Sequence, residues 1–132
     1  MTPYAGDDVR EFGIWVPKGW GGEHVIVNDE ENNYCAKRLF VAAGRRFSYH
    51  YHEIKHETFY VVAGEGDLWT QPLAKQEEFP LAPRDRTILE PGVIKVIPQT
   101  LIHQVIAKTD LWIFETSTFH RDEDSVRIEK GD

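Results

Sequence analysis

Strand-like runs, each a handful of residues long and set off by turn signals, make up most of this chain. Over residues 34–41 the side chains divide by the period of two that an extended backbone imposes. Lys37, Leu39 and Val41 share one face, and Ala36, Arg38 and Phe40 share the other. Residues 110–118 divide likewise, with Leu111, Ile113 and Glu115 opposite Trp112 and Phe114. Further runs occupy 23–28, 57–63, 66–70, 86–89, 93–97 and 101–107, and residues 34–41 extend to 43. The early runs 23–28 and 34–43 read as a hairpin through residues 29–33. Gly64-Glu65-Gly66 reads as a compact hairpin turn, Glu90-Pro91-Gly92 as a type II turn, and Lys108-Thr109 as the link between the last two strands. No helical periodicity exceeds a turn or two, and nothing repeats. Many short strands at this spacing predict an all-β sandwich or barrel.

A length of 132 residues suits a single domain. Its expected parts are an N-terminal arm over 1–22, a barrel over 23–118 and a C-terminal tail over 119–132. Residues 71–84, rich in Pro, Lys and Glu, read as an inserted surface loop. The net charge of −7 argues against nucleic acid and against an anionic membrane surface, both of which attract basic patches. No apolar run is long enough to span a bilayer, and the first residues do not resemble a signal peptide. Cys35 is the single cysteine, so an internal disulfide is excluded and a cytoplasmic setting is expected. Its simplest role is that of a small core-facing residue.

The chemistry concentrates between Gly44 and Gly64. His50 and His52 are two apart on a strand and aim the same way, and Glu57 follows five residues later, past a turn. Imidazole nitrogens with a carboxylate oxygen suit one divalent transition metal per chain, drawn from Mn, Fe, Co, Ni and Zn. A fourth ligand would come from a distant strand, and His103 is the candidate. The remaining histidines lack this register. His24 is expected at the surface of the first strand, His56 on the strand face opposite Glu57, and His120 in the tail, structural or exposed unless it edges the pocket.

The run from Gly44 through His50, His52 and Glu57 to Gly64 is similar to the first sequence motif of the cupins, without a gap. Gly92, Pro98 and His103 resemble the second, with Thr100 where that family prefers glycine and Ala107 where it prefers asparagine. The resemblance implies a double-stranded β-helix (the cupin, or jelly-roll, barrel) with His50, His52, Glu57 and His103 as metal ligands. A narrower likeness, to the cupin domain of type II phosphomannose isomerases, covers roughly residues 15–130. It rests on Pro17–Glu23, on residues 34–39, on residues 57–64 and on the closing residues 123–129, where an acidic pair precedes a valine-arginine step. The alternative reading of that closing segment is a frayed, solvated end.

The likeness implies a sugar or sugar phosphate as the small polar substrate. The expected reaction is aldose–ketose isomerisation or epimerisation through a metal-stabilised enediolate. Lys37 and Glu115 are the candidate proton-transfer groups. Lys37 faces the cavity if the leucine face of its strand is interior; otherwise it sits near the mouth and extends to water. Glu115 poses the same alternative. Tyr49 and Tyr60 are candidate pocket-wall hydroxyls. Two rival readings stand beside the isomerase: an Fe(II)-dependent dioxygenase and a non-catalytic sugar-binding cupin. A homodimer is expected, paired through the strand-rich N-terminal segments 23–28 and 34–43.

Overall fold

The computed structural model describes residues 13–73 and 84–132. Their regular structure is almost all strand, arranged in two antiparallel sheets, as a double-stranded β-helix requires. In chain order the strands are β1 (Ile14–Lys18), β2 (Gly21–Asp29), β3 (Tyr34–Val41), β4 (Tyr49–His52), β5 (Glu57–Ala63), β6 (Gly66–Pro72), β7 (Asp85–Leu89), β8 (Ile94–Ile97), β9 (Leu101–Ala107), β10 (Leu111–Ser117) and β11 (Ser125–Glu129). One sheet runs β1-β2-β3-β10-β5-β8, the other β11-β4-β9-β6-β7. Among the described residues no helix is long and apolar enough to cross a membrane.

Alternation decides what is inside. On β3 the buried positions are Cys35, Lys37, Leu39 and Val41; on β10 they are Leu111, Ile113 and Glu115; on β5 they are Glu57, Phe59 and Val61. The leucine face of β3 is therefore interior, and both Lys37 and Glu115 point inward. At one end, Leu39, Val41, Val61, Leu68, Val105 and Ile113 pack into a dry core. At the other end the same inward positions carry the charged and imidazole side chains. Cys35 is buried on β3 as a small core-facing residue, and desolvation raises its thiol pKa.

One expected hairpin differs from the structure, and the other two links are corners between the sheets. The strands flanking Gly64-Glu65-Gly66 do not pair with each other: β5 lies between β10 and β8, whereas β6 lies in the other sheet. Likewise β7 pairs with β6 and β8 with β5, and β9 and β10 belong to opposite sheets. The turn at Glu90-Pro91-Gly92 is present, with Gly92 at φ +95° and Val93 N–H donating to Glu90 O at 3.1 Å. It serves as a corner between the sheets, as the other two links do. Gly64, at φ +89°, is required at its corner, because a Cβ there would stand 2.0 Å from Asp110 O. A period of two shows which face is buried but says nothing of which strand lies alongside.

The expected arm and tail also contain strands. β1 closes one edge of the first sheet, and β2 begins at Gly21, so His24 lies on the second strand. β11 pairs with β4, the strand that carries His50 and His52. Its charged residues alternate with Val126 and Ile128, which suits an edge strand rather than a frayed end. The loop expected over 71–84 falls mostly outside the described residues, and Gln71 and Pro72 belong to β6. Thr100, where the cupin motif favours glycine, has φ +66°, and its N–H donates to His52 O at 2.7 Å. A β-branched residue is strained there, and this bond to the His52 backbone helps hold it.

Candidate metal centre

Two sheets contribute to the centre from opposite sides. His50 and His52 come from β4 and His103 from β9, with His50 and His103 directly paired across the strands. Their ligand atoms lie within 4.8 Å of one another. Glu57 reaches across from β5 in the facing sheet. Its Oε2 lies 3.2 Å from His52 Nε2 and 3.6 Å from His103 Nε2, yet forms no well-directed hydrogen bond. Such spacings suit donor atoms that each sit about 2.1 Å from a shared first-row ion. A buried carboxylate oxygen without a hydrogen bond is costly unless a cation satisfies it. The four residues therefore fit a divalent transition metal.

The imidazoles are set for this role. His50 Nδ1–H donates to Ser48 O at 2.8 Å, and His103 Nδ1–H donates to Leu101 O at 2.9 Å. Each bond leaves the Nε2 lone pair free and fixes the ring plane. Burial, and then the neighbouring histidines, push the His50 pKa down to about 3; burial likewise lowers His103 to about 3. Both rings are therefore neutral, as metal ligation requires. Glu57 stays ionised: burial would raise its pKa, but Lys55 and His52 outweigh that and hold it below the usual range.

The loop joining His52 to Glu57 is held from the tail. Asp124, nearly buried, accepts backbone N–H bonds from Glu53 at 3.1 Å, Ile54 at 3.0 Å and Lys55 at 2.9 Å. Its carboxylate thus fixes the span between two ligands. Asp124→Asn would place an amide donor against these N–H groups. Metal affinity is expected to fall about 10-fold or more, the scale for a supporting partner. Titration with Zn(II) checks this, and unchanged affinity would remove the positioning role.

Behind Glu57 lies an ionic cluster. Lys55 is 3% exposed, with Nζ 3.0 Å from Glu115 Oε2 and 4.0 Å from Glu57 Oε1. Burial would lower the ammonium pKa, but the two carboxylates more than reverse this and hold it above its usual value. Lys55 Nζ also lies 3.2 Å from His120 Nδ1. Because the ammonium can only donate, Nδ1 accepts, and His120 Nε2–H donates to Asp122 Oδ1 at 2.8 Å. On the neighbouring strand Lys37 Nζ donates to Glu23 Oε1 at 3.0 Å, and the other oxygen of Glu23 lies 3.5 Å from Lys18 Nζ.

These groups line a cavity of about 420 Å³ that also contains His50, His52, Glu57 and His103. Lys37 and Glu115 occupy paired positions on adjacent strands of its wall. His120 edges the cavity, whereas His24 and His56 do not line it. Tyr49 and Tyr60 fail as pocket walls: Tyr49 faces away and donates to Gln71 Oε1 at 3.1 Å, and Tyr60 is exposed. Of the groups that matter here, sequence reasoning misses Lys55 and Asp124. Lys55 lies in an irregular loop where no periodicity reports its direction. The acidic pair in the closing motif is the one signal for Asp124.

Comparison with solved structures places the fold. The capsular polysaccharide assembling protein CapF from Staphylococcus aureus superposes with a TM-score of 0.72 at 16% identity, over 88% of this chain and 31% of that one. KdgF from Halomonas sp. gives 0.67 at 17% identity, over 86% of this chain and 94% of the other. A single-residue variant of oxalate decarboxylase from Bacillus subtilis gives 0.73 at 13% identity, over 89% and 31%. All three have the cupin fold. This chain has the cupin fold. It spans about a third of the CapF and oxalate decarboxylase chains and almost the whole of KdgF. No family model and no curated protein sequence matches it. The likeness to type II phosphomannose isomerases thus rests on the short sequence matches alone. The first cupin motif, Gly44 to Gly64, supplies β4, the ligand loop and β5, and its glycines stand at φ +80° and +89°.

Proposed function

We propose that this cupin is a metal-dependent enzyme acting on a sugar or sugar phosphate, by aldose–ketose isomerisation or epimerisation. The observation that carries this reading is the pairing of Lys37 with Glu115 inside the cavity that holds the ligand set. His50, His52, Glu57 and His103 would hold the divalent ion, which when bound would polarise a substrate carbonyl as a Lewis acid. Isomerisation then needs a group that moves a proton between the carbonyl carbon and its neighbour. Lys37 and Glu115 supply an acid and a base on one wall, and each is already held by an ion pair. A cavity of about 420 Å³, lined mostly by polar groups, suits a compact hydroxyl-rich ligand. The capsular polysaccharide role printed for CapF lies in carbohydrate chemistry, which favours the same substrate class.

The test has two parts. Elemental analysis of protein purified without added metal is followed by assay of that form against a panel of sugars and sugar phosphates. Mn, Co, Ni or Zn with ketose formation, and deuterium uptake from solvent at the carbon beside the carbonyl, is the expected result. Fe with oxygen uptake would replace the isomerase by a dioxygenase, and binding without turnover by a sugar-binding cupin. Lys37→Met preserves length and apolar packing. It should retain metal and fold while turnover falls about 100-fold, the scale for a positioned acid–base group. A fall in kcat marks proton transfer, and a rise in KM alone marks substrate anchoring.

A further inference from the structure

Charges on the cavity wall compensate one another, with one exception. Lys18 and Lys37 are matched by Glu23 and the nearby Asp122, and Lys55 by Glu57 and Glu115. Arg127 lines the same cavity, and among the described residues no carboxylate pairs with it. Register puts it there. Arg127 lies opposite His50 and Ser125 opposite His52, so both side chains share the face of those two ligands. In a regular strand Glu129, two residues on, would stand beside Arg127 and neutralise it. Instead the register shifts by one residue after Arg127, and Glu129 comes opposite Tyr49. There, on the far side of the sheet, it pairs with Arg84, whose guanidinium lies 3.9 Å from the centre of the Tyr49 ring. The bulge takes the one acidic side chain of β11 off the cavity face and leaves the Arg127 guanidinium uncompensated.

Resting on the sugar-isomerase reading of this cavity, we propose that Arg127 binds the carboxylate of a sugar acid, with the sugar's carbonyl end at the ligand set. A guanidinium presents a planar fork of N–H donors that fits a carboxylate with two parallel bonds. The Cα atoms of Arg127 and His50 are ~5 Å apart, as in any directly opposed pair. The fork and the ligand set therefore address two ends of one compact molecule. The Ser125 hydroxyl, on the same face, can donate alongside. Charge selects among anions. A phosphate ester carries nearly two negative charges at neutral pH and calls for a second free cation. Among the described residues lining the cavity, each of the lysines already faces carboxylates. A carboxylate carries a single charge, and Arg127 alone matches it.

NMR titration of the Zn(II)-loaded protein with three sets of probes tests this. Each set is a uronate, its neutral parent hexose and the hexose 6-phosphate, in the gluco, galacto and manno series. In at least one series the uronate should bind at least 10-fold tighter than the hexose and tighter than the phosphate. Arg127→Met keeps length and removes the fork, so uronate affinity should fall about 10–100-fold, the range of a charged hydrogen-bonded contact. Hexose affinity and zinc content should not change. Glu129→Gln, on the far side of the sheet, is the control and should bind as wild type. The proposal is overturned if no series prefers the uronate, if the phosphate binds tightest throughout, or if Arg127→Met keeps the preference. The isomerase reading fails separately. A uronate preference lost in Arg127→Met but without ketose formation would leave the arginine contact standing and remove isomerisation. Ketose formation from neutral hexoses, unaffected by Arg127→Met, would do the reverse.

Discussion

Replacing His50 and His52 together by alanine should empty the metal centre and abolish turnover. The two rings supply half of the four-residue ligand set, and alanine restores neither donor. Changing His103 or Glu57 alone should also lower affinity, by more than the roughly 10–100-fold typical of an outer-sphere partner. His24→Ala is the matching control, because that ring takes a bond from Arg38 on the outside of the sheet and does not line the cavity. The fold should survive the double change: β4 keeps its backbone pairing to β9 and β11, and the dry core lies at the other end. Elemental analysis of purified wild type and variants, with circular dichroism alongside, reads the outcome. Stoichiometric metal in the double variant would remove these residues from the ligand set.

Lys55→Met should cost about 3–5 kcal/mol of stability in metal-free protein, because it strands two buried carboxylates. Glu57 is 2% exposed and Glu115 4%, and the Lys55 ammonium is close to both. Replacing Glu115 as well, in Lys55→Met/Glu115→Leu, should recover much of the loss, since an apolar pair in place of a buried ion pair is often neutral. Metal should shrink the deficit of the single variant, because a bound divalent ion compensates Glu57 in place of the lysine. Urea titrations of metal-free and metal-loaded forms check both points. A single-variant loss below about 1 kcal/mol, within the range of an exposed pair, would show that water screens the cluster.

How far the sequence can be read follows from what each signal reports. Period two on β3 and β10 places Lys37 and Glu115 each with the right neighbours, and only the three-dimensional packing decides which face is inside. The spacing of His50, His52 and Glu57 is legible because strand geometry and a short turn fix it locally. His103 is legible through the motif around Gly92 and Pro98, since no local rule links β9 to β4. The hairpin through residues 29–33 is legible, whereas the strands flanking Gly64-Glu65-Gly66 are misassigned as neighbours, because a corner between sheets and a hairpin use the same glycine-rich chemistry. Tyr49 and Tyr60 are candidates only as strand hydroxyls, and neither lines the cavity: one is buried away from it and the other faces out. Lys55 escapes notice since a lysine in a loop ordinarily faces water, and its burial depends on Glu115, far along the chain.

The placement of β11 against β4 bears on how the molecule is made. Residues His50 and His52 leave the ribosome long before Ser125–Glu129, the strand that must lie beside them, and before Asp124, which pins the loop to Glu57. His103 and its strand also emerge in between. During synthesis the nascent His-x-His segment therefore has neither neighbour and can only sample loose, exchangeable contacts with ions. Chains generally fold as their domains become complete, and here completion of the domain coincides with completion of the centre. The ligand set is thus brought together only once β11 has been made and laid against β4.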